Sequence, residues 1–330
     1  MTFATTLALP SHEKVLNSVN VQESISCIKF SSQSDRILTC SWDKTVSLND
    51  VHSDKLIDAF KHNAPVLCGC FTGPNTSVSG GLDKVIRFHD FETQTTSTIG
   101  NHNEAIRCLG YSEERELIIS GGWDKLVNLW DPRASKSAVR SLDQPDKVFS
   151  MDCLQNLVLV SNADRSLRLY DLRKLEEPLF TGDTTLQFQT RCLRLFPNCS
   201  GFAVGSSAGR VVVDYVTQTN KPFKFKCHRG ANGDIFPVNA IAFHPLYGTF
   251  ATGGGDASVC TWDWENQRRL NLASHYLNSI SSLDFNSTGS LLAIAVSYTF
   301  EHGEDPVKEK RNAVVIRTTK DHHVKPKPKI

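Results

Sequence analysis

The chain has 330 residues, with 36 Lys or Arg against 35 Asp or Glu, so its formal net charge of +1 is a small difference between large opposing counts. That balance excludes a bulk polyelectrolyte role, and 40% hydrophobic with 22% charged residues excludes disorder along the whole chain. No apolar run reaches the ~18 residues of a membrane-spanning helix, and the start MTFATTLALPSHEK lacks the basic stretch and apolar core of a signal peptide.

Taken in order, the predicted elements form a repeat. ILTCSWDKTVSLND, SVSGGLDKVIRFHD, LIISGGWDKLVNLWD, VLVSNADRSLRLYD, FAVGSSAGRVVVDYV and FATGGGDASVCTWD align without gaps around one turn. The turn acids are Asp43, Asp83, Asp124, Asp164 and Asp256, with Gly209 at the same place in the fifth copy; a second acid follows in the others at Asp50, Asp90, Asp131, Asp171 and Asp263. A period of ~40–45 residues with this turn is the signature of a four-stranded propeller blade. After each turn comes a branched apolar residue (Val46, Ile86, Val127, Leu167, Val212, Val259), as a strand packed between two sheets requires. Upstream runs such as ISCIKF, AIRCLGY and RCLRLF supply the preceding strands. SISSLDFNSTGSLLAIAVSY and, beyond a polar insertion at 299–312, AVVIRT give three strands of a seventh blade. Its fourth is expected from segment 3–19, closing the ring and removing its edges. The expectation is therefore one all-β, seven-bladed domain over residues 1–318, followed by a basic, disordered tail at 319–330 ending in VKPKPKI.

The ten cysteines are scattered through apolar runs without C-x-x-C spacing, so buried thiols and no metal site are expected; a metal at Cys68 and Cys70, two apart on one strand face, is the alternative. With no leader, they point to a reducing compartment, nucleus or cytosol. No G-x-S-x-G, P-loop or H-E-x-x-H is present, so neither catalysis nor a cofactor is expected.

Residues flanking the turn acids emerge on one face of the disc. After the acid come Lys44, Lys84, Lys125, Arg165 and Arg210, then Ala257; they read either as a basic ring that attracts an acidic ligand or as ordinary exposed turns. Before it come Trp42, Leu82 and Trp123, with Tyr298 equivalent in the last blade. This arc has the composition of a protein-binding hot spot, unless each ring lies flat on its own blade; a stacking surface for single-stranded nucleic acid also fits. Arg191, Arg210, Lys226 and Arg229 converge near the fifth blade without matching acids, as a phosphate or carboxylate site requires; a solvated basic loop is the other reading.

With five signatures in register, the chain resembles the WD-repeat family over nearly its whole length. The resemblance implies structural roles for His62 and His102, bonded to Asp83 and Asp124, and leaves the fifth copy, without its acids, to packing alone. Blocks outside the repeat, QPDKVF, FQTRC, GRVVVDY, FKCHR and FPVNAIAFH, resemble the spindle-assembly-checkpoint propellers of the "budding uninhibited by benzimidazole" class. That resemblance implies a non-catalytic kinetochore adaptor, nuclear with a cytosolic pool. It would bind a short motif of the checkpoint kinase and its kinase-like relative through Trp42, Trp123 and Arg191. Arg210, Lys226 and Arg229 would hold phosphothreonine on a kinetochore scaffold, supported by Lys44, Lys84, Lys125 and Arg165. Neither membrane nor direct DNA binding is implied. The sister messenger-RNA-export propellers, which bind a nucleoporin, share the Gly-Arg-Val and Lys-Cys-His-Arg blocks. A cullin-ligase substrate receptor is the third reading, from Trp130-Asp131-Pro132-Arg133 and Tyr170-Asp171-Leu172-Arg173.

Overall fold

The computed structural model describes residues 9–133, 137–216, 221–273, 276–300, 303 and 312–327. They form seven four-stranded antiparallel sheets arranged as blades around a channel. Blades 1 to 6 occupy residues 25–61, 66–101, 106–143, 148–183, 190–226 and 238–273, each running from an inner strand at the channel outward. Because every sheet is covered on both faces, its second strand is buried throughout rather than alternating: Ile37 to Ser41 and Ile118 to Gly122 are buried without a break. The branched residues after the turns, Val46, Ile86, Val127, Leu167 and Val259, are likewise buried between blades.

Blade 7 joins the two ends of the chain. Ile280–Phe285, Leu291–Val296 and Ala313–Thr318 are completed on the outside by Glu13–Val15, with Glu13 opposite Arg317 and Val15 opposite Val315. The clasp is locked by a buried ion pair, Arg317 Nε to Glu13 Oε1 at 2.7 Å, whose carboxylate also accepts the Tyr276 hydroxyl at 3.0 Å. Satisfying the charges in this way is what makes their burial tolerable. The expected N-terminal closing strand is thus present; residues 1–8 and most of the 299–312 insertion lie outside the described residues.

The tail departs from expectation. Instead of disorder from 319, Asp321–Val324 make one helical turn, Val324 is buried in the core shared by blades 6 and 7, and its carbonyl accepts the Thr249 hydroxyl at 2.6 Å. The buried valine seats the segment together with polar contacts on either side of it, Thr319 to Ser290 O and Gly289 O, Tyr247 to Asp321, and Asn266 and Arg268 to Lys327 O; residues 328–330 lie outside the described residues.

Candidate partner-binding face

Three kinds of segment meet at one end of the blades: the turn between second and third strands, the loop leading into the next blade, and the start of each inner strand. The shared backbone bonds fix their register. The N–H groups of Trp42, Leu82, Trp123, Ala163, Ser207, Gly255 and Ser297 all donate to a carbonyl at the start of the inner strand, so these seven positions are equivalent. Two expectations are corrected by this. In blade 5 the register is one residue off: Ala208 stands where the other turns carry their acid, and Gly209 corresponds to Lys44, Lys84, Lys125 and Arg165. Those four have left-handed backbones, with φ of 74°, 67°, 65° and 75°, and Gly209 has φ 56°. Arg210 therefore leaves the ring of turn cations and begins the third strand, and Val211, not Val212, is the buried equivalent of Val46. In blade 7, Ser297 takes the Trp42 position and Tyr298 that of the turn acid; Tyr298 is buried and its hydroxyl donates to Gly303 O at 2.8 Å, so it is no part of an exposed arc. The exposed ring there is Phe300, with its centroid 5.3 Å from that of Tyr298.

Trp42 is 44% exposed, far more than a structural turn residue needs. Trp123 is half-buried, and its indole N–H has no hydrogen-bond partner among the described residues. The ring cations differ in freedom. Lys44 is exposed, whereas Lys84 donates to Asn103 O at 2.7 Å and lies 3.6 Å from Glu104, Lys125 pairs with Asp146 at 3.2 Å, and Arg165 donates to Gln187 O at 3.3 Å.

Arg210, Lys226 and Arg229 do come together. Arg210 and Lys226 are directly opposite across the outer strands of blade 5. His228 has a left-handed backbone, φ 50°, which turns the chain back so that Arg229 Nη2 donates to Ala208 O at 2.9 Å and Gly209 O at 3.3 Å. Glycine is required at 209: a Cβ on it would come within 2.7 Å of both Cys227 O and Phe236 O, in a left-handed conformation besides. The three cations line a depression of about 350 Å³ with Ser207, Ala208 and two exposed apolar side chains, Phe188 and Ile235; among the described residues no acid lines it.

Arg191 is placed differently. All seven inner strands carry a β-bulge near their start, which re-aims one side chain per blade at the channel mouth. Arg191 is that residue in blade 5, bonded to Asn239 Oδ1 at 3.2 Å, and Arg107 is its counterpart in blade 3. Arg107 was not among the expected site residues; its signal in the sequence is the Arg-Cys-Leu shared by AIRCLGY and TRCLRL.

Three histidines hold turn acids in place. His62 bonds Asp83 at 3.0 Å and Ser79 at 2.8 Å. His102 links Asp124 at 3.0 Å to Ser120 at 2.6 Å, and Trp130 donates to the same hydroxyl at 2.8 Å. Burial would raise the Asp83 carboxyl, but hydrogen bonds from His62, the Val85 amide and Arg87 hold it down at about 2. A third such network was missed: His228 joins Asp256 at 2.8 Å to Thr252 at 2.9 Å. The guanidiniums of the tandem boxes fold back on their own acids, Arg133 on Asp131 at 3.0 Å and Arg173 on Asp171 at 2.8 Å.

Comparison with known proteins agrees with this architecture. The WD domain, G-beta repeat family matches residues 9–50, 93–131 and 221–263. The mitotic checkpoint protein BUB3.1 of Arabidopsis thaliana is 40% identical over 93% of both chains. The poly(A)+ RNA export protein of Schizosaccharomyces pombe is 32% identical over 93% of this chain and 91% of that one. Among solved structures, the propeller described as "Structure of U3-55K" superposes with a TM-score of 0.82 at 21% identity, covering 93% of this chain and 98% of that one.

Proposed function

The chain belongs to the Bub3 family of mitotic checkpoint WD-repeat proteins, sister to the messenger-RNA-export propellers, and from that premise we propose that it is a non-catalytic adaptor carrying a checkpoint kinase to a phosphorylated kinetochore scaffold. The observation that carries this is the depression lined by Arg210, Lys226 and Arg229, with no acid lining it among the described residues. A phosphothreonine brings a charge of about −1.5 to −2 at neutral pH and three acceptor oxygens. Guanidinium groups meet such oxygens in pairs, and Arg229, tied on one nitrogen to backbone carbonyls, is already oriented for it. Phe188 and Ile235 would receive apolar residues beside the phosphate.

The second ligand is a short acidic motif of the kinase and its relative. Trp42 and Trp123 would cover its apolar residues, and Arg191, with Arg107 at the same channel mouth, would meet its carboxylates. Lys44, Lys84, Lys125 and Arg165 support the field of that face. Action at kinetochores and in the nucleus follows from the same reading.

Calorimetry with a phosphothreonine peptide tests the phosphate site. Arg210→Glu and Arg229→Glu are each expected to weaken binding by about 10–100-fold, the worth of a charge-assisted hydrogen bond; unchanged affinity for both would overturn the assignment. A pull-down from mitotic cells separates the partners: checkpoint kinases support the proposal, and a nucleoporin alone would place the chain with its export relatives. Recovery of a cullin adaptor alone would favour the ligase reading.

A further inference from the structure

Six of the ten cysteines, Cys27, Cys68, Cys70, Cys108, Cys153 and Cys192, line the central channel. Five of them are desolvated thiols: burial pushes Cys68, Cys70, Cys108, Cys153 and Cys192 up, and Cys68 and Cys192 lie against backbone carbonyls, Gly80 O at 3.5 Å and Val238 O at 3.4 Å. Cys27 is different because a second cysteine faces it. The inner two strands of blade 1 place Cys27 directly opposite Cys40, so the two side chains share one face of the sheet. Both sulfurs converge on the backbone of Gly69 in blade 2: Cys27 Sγ lies 3.7 Å from Gly69 O, and Cys40 Sγ lies 2.7 Å from where a Cβ on Gly69 would be. Only glycine leaves room for that pair. Cys27 opens on the channel, while Cys40 is completely buried behind it.

We propose that Cys27 and Cys40 form a redox modification site, in which a hydroperoxide entering the channel oxidises Cys27 and Cys40 resolves the product as a cross-strand disulfide. In the first step the Cys27 sulfur attacks the peroxide oxygen, the O–O bond breaks, and a sulfenic acid and one water are formed from hydrogen peroxide. In the second the Cys40 sulfur attacks the Cys27 sulfur, the S–O bond breaks, and the hydroxyl leaves with the Cys40 proton as a second water. Each thiol is oxidised by one electron and the peroxide is reduced by two. The surroundings favour the first step: a hydrogen bond from Cys40, then the nearby charge of Lys29, outweigh burial and lower the Cys27 thiol well below its ordinary range. Cys40 keeps its proton, through that bond and its burial, and so takes the resolving part. The disulfide lies two residues from Trp42 and ties together the strands beneath that turn.

The test uses the full-length protein and hydrogen peroxide, with acid quench, alkylation and peptide mass mapping. The expected product is a linked peptide pair containing Cys27 and Cys40, lost on reduction and absent from Cys27→Ser. Cys40→Ser should instead trap a sulfenic acid at Cys27 that a cyclic diketone captures. In the unmodified protein, which needs no variant to fold, iodoacetamide should label Cys27 roughly an order of magnitude faster than Cys70 or Cys108. Labelling of Cys27 no faster than those two, or a linked pair that omits Cys40, would overturn the proposal.

Discussion

Blades 3 and 5 build the same turn by different means. In blade 3 the turn acid Asp124 is tied through His102 and Ser120 to Trp130, and it also accepts the Asn103 amide at 2.9 Å. In blade 5 the equivalent residue is Ala208, which has no carboxylate for a histidine to meet, and the turn closes on the left-handed Gly209 and on backbone carbonyls that accept Arg229. An acid, a histidine and a serine hold one turn; main-chain bonds and the Arg229 guanidinium hold the other. With Ala208 in place of the acid, Arg210, Lys226 and Arg229 collect at that corner.

The largest effect should come from breaking the side-chain network. Asp124→Ala leaves His102, itself buried, with an unmatched nitrogen, and is expected to destabilise the fold by about 3 kcal/mol, read as a lower denaturation midpoint in urea with little change in slope. Phosphopeptide binding by the folded protein should be unaffected. Gly209→Ala should do the reverse in kind: a left-handed Ala and a crowded Cβ cost about 1–3 kcal/mol, and the shifted Ala208 and Gly209 carbonyls should misplace Arg229 and weaken the phosphopeptide together with stability. If Gly209→Ala changes stability without affinity, the turn does not position the cations and the contrast between the two blades is only structural.

Acid separates the two kinds of turn next. In the folded protein the Asp83 carboxyl is held at about 2, and that of Asp256 is also lowered: burial opposes this, and the hydrogen bond from His228 leads the groups that outweigh it. Both lie below the unfolded value of ~3.9. The unfolded chain therefore binds more protons as pH falls, so the stability these groups contribute is whole above pH ~4 and is lost toward pH ~2. Denaturation midpoints measured between those limits should fall steeply in the wild type and less steeply in Asp83→Asn. Blade 5 has no turn acid to titrate, so Gly209→Ala should shift the curve without changing its slope.

The same contrast explains what could be read in advance. Seven blades and their closure were legible because repeated turn acids and buried branched residues leave a periodic mark, and AVVIRT needed a partner strand. The blade 5 register was not, because Val211, Val212 and Val213 are interchangeable to a gapless alignment, and the backbone bond of Ser207 and the left-handed Gly209 that distinguish them exist only in the fold. His228 was overlooked for a related reason. The N–H of Cys227, not of His228, makes the bond to Gly209 O that His62 and His102 make to Lys44 O and Lys84 O, so the imidazole reaches its network one residue late through a left-handed backbone. Arg107 depended on a bulge, and the seated tail on Val324 with a few polar contacts; neither carries a periodic signal. The corner cations were recognisable as a cluster because charge without matching acids is visible in sequence, although their shared depression is a property of the fold.

The smallest expected effect concerns the turn cations themselves. Lys84 and Lys125 sit beside Glu104 and Asp146, so half of the four-membered ring is already locally balanced, whereas Lys44 is exposed next to Trp42. Exposed charges are screened over about 8–10 Å at ordinary salt, so reversing one changes association by only a few-fold. Lys44→Glu should slow association of an acidic kinase-motif peptide by about two- to fivefold at low salt, with the difference fading as salt rises. Lys84→Glu changes the charge by the same amount, so it should slow association less where the peptide passes nearer to Lys44 than to Lys84. Equal effects of the two reversals, measured by stopped-flow mixing, would mean that the ring acts through its summed field; a larger effect at Lys44 would mean that the peptide passes close to Trp42.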